Sequence, residues 1–462
     1  MNNDVSFKLI TGIPNHTNKY RNSLVSNPEV YEKIVKELVE RSESIKEIHL
    51  ALYLFNNKDL LEELVKTTSS SAEVVITSLP PAGYTKKDRD IALEVYKKVL
   101  NLNSPKLELR VYPHMYVWHG IEYAGRGPPY SFHIKAGLVV YKDGACKQIL
   151  TSCNLAHGDP PRSETAIVIE DPSCSSPYSK AFKKFFEKVE QLAVPWSAYY
   201  NTVRGLDEGL YSVFDFAFVG SLGLTNWSEP FVDKAFFTGP FIKIGDVGSP
   251  WYARRKIVDL VRSAEKKLLV VAQHVHDIDP FDEYKDTTII GAIIESKRAN
   301  PSLEVKVLKQ VSSRGLSDKR RAAFAECHLR YAGVEQKENR YVHDKFVVAD
   351  DVVLITTANL TSTQFSWGIR QMEFEPKGRY DYDTVSEVVK RAEGLFGHTG
   401  VEVRQARGRS GLRVRVIKRD AFAEVNGFVI IENEALANKL AEHFERLWSH
   451  RLSKPVEILE VR

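Results

Sequence analysis

The 462-residue chain reads as one pattern written twice. A repeat of about half the length constrains the fold more than any local feature, because each copy must build its own layers and the two must then pack together. In the first half a helical stretch at 28–42 leads into an apolar strand at 48–55. A helix, a strand at 73–78, another helix and a strand at 107–112 follow. The half continues with a strand beginning at His133, its neighbour at 148–153, a strand at 165–169 and a closing helix at 178–191. The second half repeats the order: a helix at 252–264, a strand at 267–273 and a helix at 289–297, with strands at 303–308 and 328–331. A strand containing His343, its neighbour at 352–357, a strand at 428–431 and a helix at 434–448 complete it. Helices alternating with short β-branched strands predict an α/β layered fold with helices covering the sheet faces.

Two segments fall outside the repeat. Residues 205–250, rich in Gly and aromatics, are expected to add strands that bridge a half at 1–204 to a half at 251–462. Residues 376–423 form an insertion in which Gly408-Arg409-Ser410-Gly411 marks a hairpin turn between strands at 401–405 and 412–417. That hairpin carries Arg404, Arg407, Arg409, Arg413, Arg415, Lys418 and Arg419 with no acidic residue, the clearest local charge excess in a chain of net charge +4. Phosphate-polymer binding there competes with an ordinary solvated strand edge.

Composition places the chain among globular proteins. Hydrophobic residues make up 43% and charged residues 27%, and no window reaches the roughly 18 uninterrupted apolar residues of a membrane-spanning helix. The start of the sequence lacks the pattern of a secretory signal, so a cytoplasmic setting is expected. Cys146, Cys153, Cys174 and Cys327 form neither a C-x-x-C pair nor a zinc-spaced set with His, so reduced thiols and no structural metal are expected.

The chemistry lies in two matching segments. His133-Ile134-Lys135 is followed by Thr151-Ser152-Cys153-Asn154, and His343-Asp344-Lys345 by Thr356-Thr357-Ala358-Asn359. On a strand, residues two apart point to one face, so each His shares a face with its Lys. Glu164 follows His133 at nearly the spacing at which Glu373 follows His343. A single His-x-Lys carries no weight, since most histidines are core or surface residues; two in equivalent places, each with its Asn, do. A phosphodiester resists nucleophiles, so a catalyst must neutralise its nonbridging oxygens, supply a nucleophile and protonate the leaving oxygen. Lys135, Lys345, Asn154 and Asn359 provide donors without a metal, and the two imidazoles provide nucleophile and acid/base. Ser152 and Thr357 either bind phosphate or form the turn. Asp350 is expected to hold a turn. His49, His274 and His276 lie on equivalent first strands, as rim or core residues, and the aromatic loop at 112–132 offers a surface for stacking bases or for packing.

These motifs resemble the phospholipase D superfamily, whose signature is H-x-K-x4-D followed by a G/T-S-x-N turn. His343, Lys345 and Asp350 fit it in full; in the first copy Val140 stands where Asp is expected. Loss of that Asp is similar to the tyrosyl-DNA phosphodiesterase branch, as are the phrases around Asn154 and Asn359. The resemblance implies two similar halves, each a mixed sheet flanked by helices, packed as a pseudo-dimer around one shared active site that needs no cofactor. It implies a covalent phosphohistidine, with His133 as nucleophile and His343 as acid/base. It also implies that each imidazole is held by a carboxylate of the opposite half: Glu164 for His343, and Glu373 for His133, the latter in competition with Glu375, Glu424 and Asn426. Nucleic acid is the expected substrate and partner, through nuclease or DNA-end processing. A phospholipase D or phosphatidyltransferase acting on lipid is the alternative, and a silent nucleic-acid-binding protein a third reading.

Overall fold

A computed structural model of the chain describes residues 5–14, 24–69, 72–81, 86–112, 132–203, 233–239, 242–245, 247–278, 287–311, 316–365, 383 and 424–457. It also describes the backbone of strands within 115–124, 213–226, 370–376 and 400–418. The first half runs β1 (Ser6–Gly12), α1 (Pro28–Val39), β2 (Ile45–Leu52), α2 (Lys58–Ser69), β3 (Glu73–Ser78), α3 (Lys86–Leu102) and β4 (Leu107–Val111). It closes with β5 (Lys135–Tyr141), β6 (Cys146–Thr151), β7 (Glu164–Asp171) and α4 (Pro177–Leu192). The second half runs β8 (Ala235–Thr238), α5 (Ser249–Arg262), β9 (Lys267–Ala272), α6 (Ile289–Ala299), β10 (Glu304–Lys309), α7 (Leu316–Tyr331) and β11 (Glu335–Glu338). β12 (Phe346–Ala349), β13 (Val352–Thr356), β14 (Asn426–Glu432) and α8 (Glu434–Trp448) follow.

The two main sheets are the same sheet built twice. The first orders its eight strands β1-β7-β6-β5-β2-β3-β4 and then Val194–Pro195; the second orders them β8-β14-β13-β12-β9-β10-β11 and then Lys454–Pro455. In both, the three strands joined through helices are parallel (β2, β3, β4 and β9, β10, β11), and the rest pair antiparallel. The central strands β6 and β13 are buried almost throughout; β13 accordingly reads as the apolar run Val352–Ile355, whereas β6 also buries Lys147 against Glu37 and Gln148 against Ser179. Helix starts follow from their caps: the side chains of Asn27, Ser176 and Asn433 accept the Val30, Ser179 and Leu436 amides, satisfying donors that a helix N-terminus otherwise leaves open.

The halves meet along β6 and β14 and through α4. Phe185 of α4 stacks on Phe237 of β8 with ring centroids 4.0 Å apart, Phe182 meets the same ring edge-on at 5.1 Å, and the Tyr178 hydroxyl donates to the Ile430 carbonyl at 3.0 Å. Gly427 sits where the two sheets come closest. A Cβ there would lie 2.7 Å from Leu150 Cδ1 and 3.0 Å from both Ile134 Cδ1 and Phe237 Cε1. The irregular segments also converge. Val213–Asp215, Met115–Trp118, Ile121–Ala124, Arg370–Pro376, Leu412–Lys418 and Gly400–Gln405 form one six-stranded sheet in that order, so the expected hairpin is present.

Several expectations change. The strand expected at 328–331 is the end of α7, and the strand in that place is β11; the apolar and β-branched count around Tyr331 is too small to separate a helix end from a strand. Ala235–Thr238, expected in the bridge, is the edge strand of the second sheet. His133 and His343 precede their strands rather than lying on them. Cys146 and Cys174 are joined in a disulfide, while Cys153 and Cys327 are free; the residues lie 28 apart in sequence, so only the return of β7 and its following turn beside β6 brings them together. Among the described residues no helix is long and apolar enough to cross a membrane.

Candidate active site

The sheet register places both motifs at one junction. His133 and Lys135 enter β5 next to β2, and His343 and Lys345 enter β12 next to β9, at corresponding positions of the two sheets. A parallel bridge between Ser163 and Val342, and the Ser163 amide donating to the Tyr341 carbonyl at 2.8 Å, fasten the start of β7 to the second motif. His343 and Lys345 are thereby brought under Glu164.

The two motifs share one internal geometry. Lys135 Nζ donates to the His133 carbonyl at 2.7 Å, and Lys345 Nζ to the His343 carbonyl at 2.8 Å. Both ammonium groups are buried, at 0% and 1% exposure, and each has further donors to offer an anion. The Tyr53 ring supports the first motif, 5.3 Å from the His133 ring and 5.1 Å from Lys135 Nζ. The predicted turn residues are also in place. Asn154 donates to Asp159 Oδ2 at 2.7 Å, and the amide oxygens of Asn154 and Asn359 are buried without a hydrogen-bond partner among the described residues, acceptors that a hydrogen-bond donor would satisfy.

Each imidazole is held at Nδ1 by the opposite half, leaving Nε2 as the nitrogen not committed to that contact. Both carboxylate oxygens of Glu164 lie 3.0 Å from His343 Nδ1, and Ser152 and Ser26 donate to the same carboxylate at 2.5 and 2.8 Å. At His133 the partner is Asn426, whose Oδ1 is 3.3 Å from Nδ1 and accepts the Thr357 hydroxyl at 2.9 Å. The group in this position is therefore Asn426 and not Glu373. The strand register gives the reason. The Ser152 amide bonds the Thr165 carbonyl, and the Thr357 amide the Gly427 carbonyl, so Asn426 is the counterpart of Glu164. The insertion after Thr357 pushes that counterpart far down the sequence, and the similar spacing of Glu373 is a coincidence. Glu373 lies on the strand Arg370–Pro376, opposite Arg415; its side chain, like those of Arg413 and Arg415, lies outside the described residues, as do Arg407 and Arg409 entirely. Ser152 and Thr357 thus hold the imidazole partners.

Electrostatically the pocket is short of anion. Burial, the neighbouring lysines and His343 push the His133 pKa well below its ordinary range; burial and the Lys345 and Arg162 charges do the same to His343. Burial and Lys345 lower Lys135 strongly, and burial brings Lys345 down to about 8 against the pull of Glu164. Burial pushes Glu164 up. A buried cluster of bases that resist protonation until a counter-charge arrives is a receptor for an anion such as a phosphoryl group.

Sequence reasoning missed the contacts around Asp344, the middle residue of the second motif. Asp344 is fully buried, accepts from Ser163 and Thr165 and lies 3.0 Å from His443 Nε2 of α8, tying the second motif to β7 and to the closing helix. Asp350 takes the structural place expected of it, with its carboxylate accepting the Glu265, Lys266 and Lys267 amides at 2.7 to 3.0 Å. His49 does not join the site; it is held by Glu190 at 2.7 Å and Glu47 at 3.3 Å. His274 and His276 are buried beyond β9, beside the strand that follows Asn359. No group of three or more His, Cys, Asp or Glu able to hold a metal exists among the described residues.

No protein-family model matches the chain, and no curated protein matches it. In fold it is similar to the phosphatidylserine synthase of Haemophilus influenzae, with a TM-score of 0.50 at 12% identity over 99% of this chain and 88% of that one. It also aligns with yeast tyrosyl-DNA phosphodiesterase, with a TM-score of 0.41 at 12% identity over 79% of this chain and 87% of that one. A third match is the polyphosphate kinase of Porphyromonas gingivalis, with a TM-score of 0.46 at 11% identity over 95% of this chain; the chain spans only 50% of that kinase's length.

Proposed function

From the phospholipase D superfamily fold that the chain shares with these enzymes, we propose that it is a phosphodiesterase working through a covalent phosphohistidine, with nucleic acid as its substrate. The observation that carries this reading is the crossed pairing: each half supplies a His and Lys, and each half supplies the group that holds the other's imidazole. Neither half alone has a complete site.

The asymmetry of the partners divides the labour. His133 faces an amide oxygen, which orients Nδ1–H and leaves a neutral imidazole with its Nε2 lone pair free. His343 faces a carboxylate, which favours the imidazolium once a substrate anion has entered. In the first step His133 Nε2 forms a bond to phosphorus, the bond from phosphorus to the leaving oxygen breaks, and that oxygen takes the proton from His343. In the second, His343 takes a proton from water, the resulting hydroxide bonds phosphorus, and the N–P bond breaks to restore His133. Lys135 and Lys345 neutralise the nonbridging oxygens, the part for which other enzymes use a cation.

Nucleic acid is favoured by the basic run from Arg404 to Arg419; of its residues Arg404, Arg413, Arg415 and Lys418 lie on strands of the sheet shared with Met115–Trp118 and Ile121–Ala124. The test is incubation of the full chain with labelled DNA and with labelled phosphatidylcholine in EDTA, followed by a denaturing quench at alkaline pH, where a histidine N–P bond survives, and mapping of the modified residue. The expected result is a DNA-derived adduct on His133 that His133→Ala abolishes. Label from phosphatidylcholine alone would move the substrate to lipid, and DNA binding without adduct or turnover in a folded protein would overturn the enzymatic reading.

A further inference from the structure

The amide that holds His133 is itself held, and the chain of contacts leads to a carboxylate. Gln364 Nε2 donates to Glu424 Oε2; Asn426 Nδ2 donates to Gln364 Oε1 at 2.8 Å; Asn426 Oδ1 faces His133 Nδ1 at 3.3 Å. Gln364 and Asn426 are buried, at 5% and 1% exposure. We infer that Glu424, acting through Gln364 and Asn426, sets the tautomer of His133, so that these three are positioning residues for the nucleophile. This rests on the phosphodiesterase reading for its catalytic consequence, but the tautomer itself does not depend on it.

The direction of each bond follows from the carboxylate. Glu424 Oε2 accepts, so Gln364 turns its NH2 toward Glu424 and its oxygen toward Asn426. That oxygen requires the NH2 of Asn426, which leaves Asn426 Oδ1 toward His133. The Thr357 hydroxyl agrees: its oxygen accepts the Gly427 amide at 3.1 Å, so its hydrogen goes to the same Asn426 Oδ1. Facing an oxygen, His133 Nδ1 must carry the proton and Nε2 must be bare. A lone amide would not guarantee this, because a flipped Asn426 would present NH2 to Nδ1 and drive the proton to Nε2, where it blocks attack. Glu164 makes the corresponding choice for His343 in one contact, since a carboxylate has no donor to flip. The backbone around Glu424 is pinned for this purpose: the Thr238 hydroxyl donates to the Glu424 carbonyl at 2.7 Å and accepts the Asn426 amide at 3.2 Å.

The experiment compares the full chain with Glu424→Gln, Glu424→Asp and Gln364→Met, using 15N-histidine NMR with His133 assigned through His133→Gln, and steady-state turnover of bis(4-nitrophenyl) phosphate. The expected result is a single Nδ1–H tautomer at His133 in the parent and in Glu424→Asp, and a mixture in Glu424→Gln and Gln364→Met. A fall in kcat on the order of ten- to a hundred-fold with KM unchanged would accompany the mixture. An unmixed tautomer in both disrupted variants, once circular dichroism shows either of them folded, overturns the inference. A parent that shows the single tautomer, loses it in the variants and turns over no phosphodiester supports the relay while removing the proposed activity.

Discussion

Lys345→Met should stabilise the protein while abolishing its activity. Lys345 is 1% exposed, and burial holds its pKa at about 8 against an ordinary value of 10.5. At about 1.4 kcal/mol per pKa unit, that difference costs the folded state about 3 kcal/mol at neutral pH. Methionine keeps the length and apolar character of the side chain and removes the charge. It also leaves the His343 carbonyl without its 2.8 Å donor, at a cost of about 1 to 2 kcal/mol. The attraction to Glu164 is already contained in that pKa and is not counted again. The net expectation is a gain of about 1 to 2 kcal/mol at pH 7.5, read from urea unfolding with an unchanged m-value. The pH dependence is the stronger test. With the folded pKa below the unfolded one, the unfolded chain binds more protons between about pH 8 and 10.5, so this lysine makes the parent more stable as pH rises through that window. The variant lacks the effect. Relative to the variant, the parent should therefore gain about 2 kcal/mol between pH 7.5 and 9.5. A variant that is less stable at pH 7.5, or a gap that does not move with pH, would refute the claim that this ammonium is held at the site against its own solvation.

Three further outcomes follow from particular contacts. Burial lowers the His49 pKa, but Glu190 and Glu47 outweigh it and hold the pKa at about 9; its contribution is present below pH 6.5 and lost as pH rises through 9. Chemical denaturation of Glu190→Gln against the parent should show the parent losing about 2 kcal/mol more across that range. Asn426→Asp places a carboxylate at His133 as well, so the pH–rate profile of phosphodiester cleavage should show its acidic limb displaced to higher pH; an unmoved limb would mean that His133 is not the group titrating there. Gly427→Ala pushes a methyl into Leu150, Ile134 and Phe237 at 2.7 to 3.0 Å, and should cost about 1 to 3 kcal/mol in urea unfolding, since a packed interior yields little.

What the sequence made legible is what lies close together along it. His133 and Lys135, His343 and Lys345, and the turns ending in Asn154 and Asn359 each sit within a single hairpin, so local patterning and the repeat were enough to find them. Asn426 was harder because the contact that defines it is set by strand register across an insertion. A signal was nonetheless present: Glu164-Thr165-Ala166-Ile167-Val168-Ile169-Glu170 and Asn426-Gly427-Phe428-Val429-Ile430-Ile431-Glu432 have the same apolar profile and occupy the same strand position in the two sheets. Aligning those strands first, and counting from the motif histidines second, places Asn426 opposite Glu164. The Asp344 network and the Cys146–Cys174 disulfide had no such signal, because each depends on how separate elements dock rather than on any periodicity along one of them.

The unequal partners also explain why one chain carries both halves. A site made from two identical halves would give both imidazoles the same neighbour and so the same proton affinity, and nothing in the free protein would distinguish nucleophile from acid. Here the repeat has been kept in the two buried lysines, each donating to the carbonyl of its own histidine, and in the hydroxyls of Ser152 and Thr357 that brace the imidazole partners. It has been broken at the one position that assigns the proton, Glu164 against Asn426. The break costs the second half its directly paired carboxylate, and Gln364 and Glu424, which flank the 376–423 insertion on either side, restore the fixed orientation that an amide alone cannot supply. On this argument the two ends that flank the insertion belong to the site, and a substitution at Gln364 or Glu424 should disturb His133 before it disturbs His343.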